Sequence, residues 1–171
     1  MKTLYLLRHA KSDWSHPDLD DHDRPLAPRG RKAARRMSAF LSQARPRPTM
    51  VLCSSATRAR ASWQPVGQAL GEPVEVHVED GLYAAGADRL LARLRRLPEG
   101  ADAVLLVGHN PGLQDLASEL AGDGDPTGLR RLGEKFPTGA LATLRLETSW
   151  RELGPGGGYL ESLVVPRDLA R

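Results

Sequence analysis

Short apolar runs alternate with longer amphipathic segments along this chain. Each continuous run is only a few residues long, which is the length of a buried β-strand. One further segment, residues 74–78, alternates between apolar and polar residues, as a strand at the edge of a sheet does. The predicted strands are residues 3–7, 50–53, 74–78, 103–107, 139–147 and 159–165.

The segments between these strands carry apolar residues at helical spacing. In the first of them, Pro28 favours the first turn of a helix, and Met37 and Leu41 fall on one face. The second contains Pro65, which is expected to kink or split it, and Gly71 is expected to end it. The predicted helices are residues 28–42, 57–70, 87–97 and 112–121, with a short turn or helix at 129–132.

The order of these elements predicts the fold class. Strands alternate with helices up to residue 121, and two strands joined by a glycine-rich loop close the chain. Such an order is typical of an α/β fold, here a three-layer α/β/α sandwich with a mostly parallel central sheet. With 171 residues in all, residues 1–171 are expected to form a single domain.

Composition and the lengths of the apolar runs indicate the compartment of the protein and the classes of partner that it can bind. No secretory segment precedes the first strand and no apolar run reaches the length of a membrane span, so a cytoplasmic protein is expected. The net charge is +3, but the basic residues are scattered and aromatic residues make up only 5%, so we expect neither a nucleic-acid nor a membrane partner. The single cysteine, Cys53, excludes an intramolecular disulfide and lies in an apolar run, as a core residue does.

Three of the predicted strands end abruptly in polar turns. Arg8 and His9 follow the first strand, Arg58 comes just after the Ser54-Ser55 turn of the second, and His109 follows the fourth. Because parallel strands present their carboxyl ends at one edge of a sheet, we expect these side chains to meet there. No carboxylate accompanies them in the three turns.

Two guanidiniums and two imidazoles around one point favour a site for a phosphate dianion. A passive phosphate-binding module gains little from two imidazoles. Phosphoryl transfer uses both, because one histidine can attack phosphorus while the other hydrogen-bonds to the equatorial oxygens. The chain contains neither a Gly-x-x-x-x-Gly-Lys loop nor a set of carboxylates suited to Mg²⁺. We therefore expect covalent catalysis without a metal ion or other cofactor.

The same turns resemble a known family. The motifs Leu6–Ala10, Ser54–Ala59 and Val107–Pro111 resemble those of the histidine phosphatase (phosphoglycerate-mutase-like) superfamily. Within that superfamily, the Arg8–Ser12 motif, the short chain and the closing segment Val164–Leu169 resemble the SixA-type phosphohistidine phosphatases. The resemblance extends in order over essentially the whole chain and implies the same α/β/α fold.

The resemblance implies a role for each residue of the three turns. It makes His9 the phosphoryl acceptor, Arg8 and Arg58 the phosphate clamp, and His109 the second histidine of the phosphate pocket. These four residues are the catalytic set that we expect.

Three further positions follow from the resemblance with less support from the motifs. The Asp23–Gly30 motif implies that Arg24 lies near the pocket mouth. Larger members of the superfamily have an asparagine soon after the Arg-His pair, and the nearest equivalent here is Ser15, which would donate one hydrogen bond. They also have a glutamic acid after the third strand, where this chain has Tyr83 or Ala84. The remaining candidates for a general acid are Glu79, Asp80 or an aspartate of the loop at residues 14–27.

The missing acid favours a particular substrate. A sugar or glycerate alkoxide needs a proton to leave, whereas a phosphorylated imidazole can take a proton on its other ring nitrogen and leave as a neutral molecule. We therefore predict a phosphohistidine phosphatase whose partner is a phosphohistidine-bearing protein such as a phosphotransfer domain. The alternatives are a phosphatase of small phosphorylated metabolites such as sugar phosphates, or a regulatory module that binds phosphate without catalysis.

The other histidines receive simpler interpretations. His16 and His22 lie in an aspartate-rich loop without a regular spacing of metal ligands, so we interpret this segment as a solvated loop. His77 falls in the alternating strand and is interpreted as structural or exposed.

Overall fold

The computed structural model describes residues 1–70 and 73–169. A seven-stranded mixed sheet runs through the centre, in the strand order β3-β2-β4-β1-β6-β7-β5. The strands are β1 Lys2–Arg8, β2 Met50–Ser54, β3 Glu75–Glu79, β4 Ala103–Gly108, β5 Ala121–Gly124, β6 Leu141–Leu146 and β7 Gly158–Val164. The helices are α1 Pro28–Gln43, α2 Thr57–Leu70, α3 Ala87–Leu94, α4 Gly112–Leu120 and α5 Pro126–Glu134. Gly71, which was expected to end α2, lies outside the described residues.

The three strands that end in polar turns are neighbours in this sheet. β4 pairs in parallel with β1 on one side and with β2 on the other, so all three carboxyl ends reach the same edge. Arg8 is in register with Gly108, and Cys53 is in register with Val107. The pairing of β6 with β1 and β7 is antiparallel, which gives the mixed character of the sheet. The prediction of a mostly parallel central sheet in an α/β fold is confirmed.

Alternate side chains of the central strands pack against different helices. Leu4 and Leu6 of β1 belong to a buried cluster that includes the apolar residues of α3 and α4. Tyr5 and Leu7 belong to a second buried cluster, which includes apolar residues of α1 and α2. Because both faces of the sheet are covered, its central strands are continuous apolar runs, as predicted. Cys53 is fully buried in the second cluster, and burial raises the pKa of its thiol to about 12.

Four details differ from the sequence-based expectations. Pro65 does not split α2, because the buried Val66 and Leu70 hold the segment beyond it against the sheet. The helix at 87–97 ends at Leu94, although Leu97 is still buried. The turn at 129–132 is part of a nine-residue helix, α5. β5 was not predicted, since its Ala-Gly-Asp-Gly sequence has no apolar pattern and pairing with β7 makes it a strand.

Among the described residues, no helix combines the length and the apolar character needed to cross a membrane.

Candidate active site

The three polar turns meet in one cavity at the carboxyl edge of the sheet. Its volume is about 290 Å³. The lining residues are Arg8, His9, Lys11, Ser12, Trp14, Arg24, Arg58, His109, Asn110 and Thr138. Of the six predicted site residues, the cavity thus brings together Arg8, His9, Arg24, Arg58 and His109, and it omits Ser15.

His9 is held at the end of β1 with one ring nitrogen committed to the backbone. Its main-chain nitrogen donates to Gly108 O at 3.0 Å, and its Nδ1 lies 2.8 Å from Ala10 O. A carbonyl oxygen only accepts, so Nδ1 carries the proton and Nε2 keeps its lone pair. Burial lowers the pKa of His9 to about 3, with the charges of Arg58 and Arg8 acting in the same direction. The ring is therefore neutral near pH 7, and Nε2 is its nucleophilic nitrogen.

Arg58, in the first turn of α2, faces that nitrogen. Its Nε lies 3.4 Å from His9 Nε2, and the residue is 6% exposed. The hydroxyl of Ser62, one turn further along α2, donates to Arg58 O at 2.7 Å and accepts from the main-chain nitrogen of Ala10 at 2.8 Å. This bridge ties the loop after β1 to α2 and keeps His9 and Arg58 in fixed positions.

His109 lies on the other side of the His9 ring, with ring centroids 5.1 Å apart. Its Nε2 is 2.7 Å from Ser54 Oγ, which also accepts a hydrogen bond from the main-chain nitrogen of Ala56. The Ser54 hydroxyl proton is then available for His109 Nε2, which leaves the ring proton on Nδ1. Burial, together with the charge of Arg58, lowers the pKa of His109 to about 4. A neutral His109 therefore offers an N–H donor.

Two donors of the site have no acceptor among the residues that the structure describes. Arg8 donates from Nη1 to Phe136 O at 2.9 Å, but its Nε is buried and unpartnered, as is His109 Nδ1. A buried donor without an acceptor costs roughly 1–3 kcal/mol. An oxyanion bound in the cavity would supply acceptors, so the unpartnered donors favour an anionic ligand.

An aspartate of the loop at residues 14–27, Asp21, joins the cations. Its Oδ2 accepts from Arg58 Nη2 at 3.0 Å and from the Tyr83 hydroxyl at 2.6 Å. Its Oδ1 accepts from Arg24 Nη2 at 2.8 Å and Arg24 Nε at 3.1 Å. The hydrogen bond from Tyr83 and those from the two guanidiniums lower the pKa of Asp21, so this carboxylate is ionised. The three turns themselves bring no carboxylate, and Asp21 reaches their cations from the neighbouring loop. An ionised Asp21 does not donate a proton, so it is not a general acid. The sequence signal for its contact with Arg24 is the three-residue spacing of the two.

Arg24 lines the mouth of the cavity, whereas Ser15 does not. Arg24 Nη1 donates to Ser12 Oγ at 2.6 Å, and its guanidinium lies 3.5 Å from the centroid of the Trp14 ring. Ser15 is exposed, and its main-chain nitrogen donates to Asp13 Oδ1 at 2.7 Å. The chain turns outward after a bridge between Ser12 and Leu26, so Ser12 is the buried serine of this loop.

The candidates for a general acid are not poised to donate a proton. Glu79 accepts from Arg93 Nε at 2.8 Å and Arg93 Nη2 at 2.9 Å, and these hydrogen bonds lower the pKa of its carboxyl group. Asp80 is exposed and does not line the cavity. Ala84 has a φ of 53° and offers no proton. The hydrogen bond to Asp21 raises the pKa of Tyr83 and directs its hydroxyl proton to that carboxylate.

His22 belongs to the surroundings of the site, which corrects its interpretation as part of a solvated loop. Its Nε2 lies 2.9 Å from Ser55 Oγ, and its ring packs edge-on against Tyr83 at 4.8 Å. Tyr83 packs in the same manner against His109 at 5.5 Å. His16 is exposed. His77 lies in the edge strand, where its Nε2 is 2.5 Å from Glu75 Oε2, and it does not line the cavity.

Close packing of α1 sets the position of the loop after β1. A Cβ atom at Gly30 would lie 2.1 Å from Lys11 O, so only glycine fits at this point of the helix. The main-chain nitrogen of Ala27 donates to the same oxygen at 2.9 Å. Among the described residues, no group of three or more histidine, cysteine, aspartate or glutamate side chains is placed to hold a metal ion.

Comparison with known proteins agrees with this geometry. The sequence profile of the histidine phosphatase superfamily (branch 1) matches residues 4–86. An uncharacterized protein of Mycobacterium tuberculosis, Rv1276c, is 37% identical over 94% of this chain and 100% of its own length. The structure of SixA from Nakamurella multipartitia is 32% identical, covers 96% of both chains and superposes with a TM-score of 0.83. A protein histidine phosphatase SixA, solved with tungstate, is 25% identical with a TM-score of 0.78, covering 98% of this chain and 99% of its own.

The chain belongs to the histidine phosphatase superfamily, and within it to the SixA type. It is a phosphatase, as the superfamily and its structural neighbours are.

Proposed function

We propose that this phosphatase hydrolyses phosphohistidine in proteins through a covalent intermediate on His9. The observation that carries the proposal is the state of the His9 ring: Nδ1 is held by Ala10 O at 2.8 Å, and Nε2 faces Arg58 Nε at 3.4 Å. An imidazole that is buried, neutral and oriented in this way is an activated nucleophile for phosphorus.

In the first step His9 Nε2 attacks the phosphorus atom in line with the leaving group. A bond forms between Nε2 and phosphorus, and the bond from phosphorus to the substrate's ring nitrogen breaks. The leaving imidazole takes the electron pair of that bond and, protonated on its other nitrogen, departs as a neutral molecule. In the second step a water molecule attacks phospho-His9, inorganic phosphate leaves, and the Nε2 lone pair is restored.

The surrounding cations stabilise the charge that spreads over the equatorial oxygens. Arg8 Nε and His109 Nδ1 are buried donors with no acceptor in the described part of the chain, so a phosphoryl group would pair with them without breaking existing hydrogen bonds. Arg58 adds its Nε beside the attacking nitrogen. Arg24, at the mouth, contacts the outer part of the substrate. With this charge supplied by arginine, the proposed reaction needs no metal ion.

The state of the carboxyl groups favours phosphohistidine over alkyl phosphates. Asp21 and Glu79 are both held in their ionised form by arginines and, for Asp21, by Tyr83. An alkoxide would therefore leave without a strong acid beside it, whereas an imidazole brings its own proton. SixA, the relative solved with tungstate, is described as a protein histidine phosphatase, which agrees with this choice.

A panel of substrates tests the proposal. A phosphohistidine peptide should lose phosphate far faster than a phosphoserine peptide or a sugar phosphate, and similar rates on all three would contradict it. His9→Ala should lower kcat by about 10⁴-fold or more, in the range of a deleted nucleophile. Rapid quenching of the wild-type reaction should trap an acid-labile phosphoryl group on His9 that is missing from His9→Ala. Phosphate release by wild type without such an adduct would rule out the covalent route.

A further inference from the structure

A second basic cavity adjoins the phosphoryl pocket. Its volume is about 400 Å³, and it shares Lys11 and Thr138 with the pocket. We call this cavity the basic groove. Its lining residues are Lys11, Arg29, Ala33, Pro137, Thr138, Val165, Pro166 and Arg167.

The wall between the two cavities is part of the active-site backbone. The main-chain nitrogen of Gly139 donates to Arg8 O at 3.1 Å and to His9 O at 3.0 Å. On its other side Gly139 approaches Pro166, because a Cβ atom there would lie 2.9 Å from the Pro166 ring, and its φ is +76°. The groove therefore begins at the same wall that holds the backbone of Arg8 and His9.

The aspartate that follows Arg167 in the chain is paired with an arginine outside the groove. Arg131 Nη1 donates to Oδ2 of Asp168, the residue after Arg167, at 2.7 Å. Within the described residues, Lys11, Arg29 and Arg167 form no ion pair, and no aspartate or glutamate lines the groove. Arg29 and Arg167 are both exposed. A surface of three unpaired cations beside Pro137, Val165 and Pro166 is complementary to a ligand with several negative charges and some apolar contact.

We propose that the basic groove binds acidic residues next to the phosphorylated histidine of a protein substrate. The inference rests on the proposed function and adds a specificity site to it. A protein is favoured over a small metabolite because two exposed cations lie outside the phosphoryl pocket on separate elements, Arg29 at the start of α1 and Arg167 near the carboxyl terminus. An extended chain carries charged side chains along its length and can contact both.

Two phosphohistidine peptides test the groove. They are identical except that the residues flanking the histidine are aspartate in one and asparagine in the other. At low salt the wild-type enzyme should show a KM about five-fold lower for the aspartate peptide, as expected for two exposed charge pairs. The preference should shrink as ionic strength rises, since exposed charges are screened. Equal KM values for the two peptides at low salt would overturn the proposal.

Variants assign the preference to particular residues. Arg29→Gln/Arg167→Gln should lose the preference, and Arg167→Gln alone should lose part of it, through KM while kcat stays unchanged. Arg151→Gln is the matched control, because Arg151 is also exposed and its main-chain nitrogen bonds to Glu99, ahead of β4 at the other end of the sheet. If Arg151→Gln weakens the preference as much as Arg167→Gln does, only the net charge matters and the groove is not a site.

Inhibition separates the groove from the proposed function. The unphosphorylated aspartate peptide should inhibit hydrolysis of para-nitrophenyl phosphate by the wild type, and the double variant should be inhibited about five-fold less. If neither phosphohistidine peptide is hydrolysed, the proposed function fails, while this inhibition still decides whether the groove binds acidic peptides. A sugar bisphosphate and the corresponding monophosphate test the metabolite alternative. If Arg29 and Arg167 lower the KM of the bisphosphate relative to the monophosphate by as much as they favour the aspartate peptide, the groove binds metabolites instead.

Discussion

The phosphoryl pocket and the basic groove carry the same sign of charge in opposite surroundings. In the pocket, Arg58 and His9 are 6% and 7% exposed, and each has fixed hydrogen-bond partners. In the groove, Arg29 and Arg167 are exposed and form no ion pair with any described residue. Burial strengthens electrostatic interactions and shifts pKa values, and phosphoryl transfer requires both effects. An exposed charge interacts weakly and serves mainly to select a partner. The two regions should therefore respond very differently to the same kind of substitution.

The largest difference is expected on removal of one guanidinium from each region. Arg58→Ala should lower kcat/KM for a phosphohistidine peptide by about 10³-fold, the cost of a preorganised charge at the transition state. Arg29→Ala, measured on phosphorylated free histidine, which cannot reach along the groove, should change kcat/KM by less than about two-fold. Comparable losses from both would abolish the distinction between the regions.

A smaller effect is expected from the carboxylate behind the pocket. Asp21→Asn keeps an oxygen that can accept from Tyr83 but removes the charge that orients Arg58 and Arg24. We expect kcat/KM to fall about ten-fold, because both guanidiniums lose a charge-assisted partner. Steady-state kinetics measure the fall in kcat/KM, and the inhibition constant of inorganic phosphate measures the affinity of the pocket for its ligand. A rise in phosphate affinity would mean instead that Asp21 competes with the ligand for these arginines.

The buried histidines should make stability depend on pH. Their pKa values are lowered to about 3 for His9 and about 4 for His109, while in the unfolded chain a histidine titrates near 6.5. The unfolded state therefore binds more protons as the pH falls below about 6.5, and the free energy of unfolding should decrease from there toward pH 4. The urea midpoint measured between pH 7.5 and 4.5 should fall less in His9→Gln than in wild type. An equal fall in His9→Gln and in wild type would contradict the prediction.

The smallest expected effect is the difference in KM between alanine variants of two serines in the same loop, Ser12 and Ser15. Ser12→Ala removes the buried acceptor of Arg24 Nη1 and should raise KM about three-fold. A change of this size corresponds to the net free energy of roughly half to one hydrogen bond. Ser15→Ala should alter neither KM nor kcat, since Ser15 is exposed and lies outside the cavity. A change in Ser15→Ala alone would restore the role that the resemblance assigned to it.

Most of the fold could be predicted from local patterns. β4 is apolar throughout because it is buried on both faces, and α1 shows its buried side at Met37 and Leu41. Such periodicities result from burial and are visible in the chain itself. β5 could not be predicted, because its backbone pairing with β7 leaves no trace in side-chain polarity.

The amino-acid sequence by itself determined that Arg8, His9, Arg58 and His109 would meet, because each follows a strand and parallel strands share one carboxyl edge. Tertiary structure alone decided which polar side chains of the surrounding loops reach them. Asp21, Tyr83 and His22 come from loops without periodicity, and Ser12 rather than Ser15 faces Arg24 because the chain turns outward after its bridge to Leu26. The conformation of such a loop follows from what it packs against, and that information is not local to its sequence.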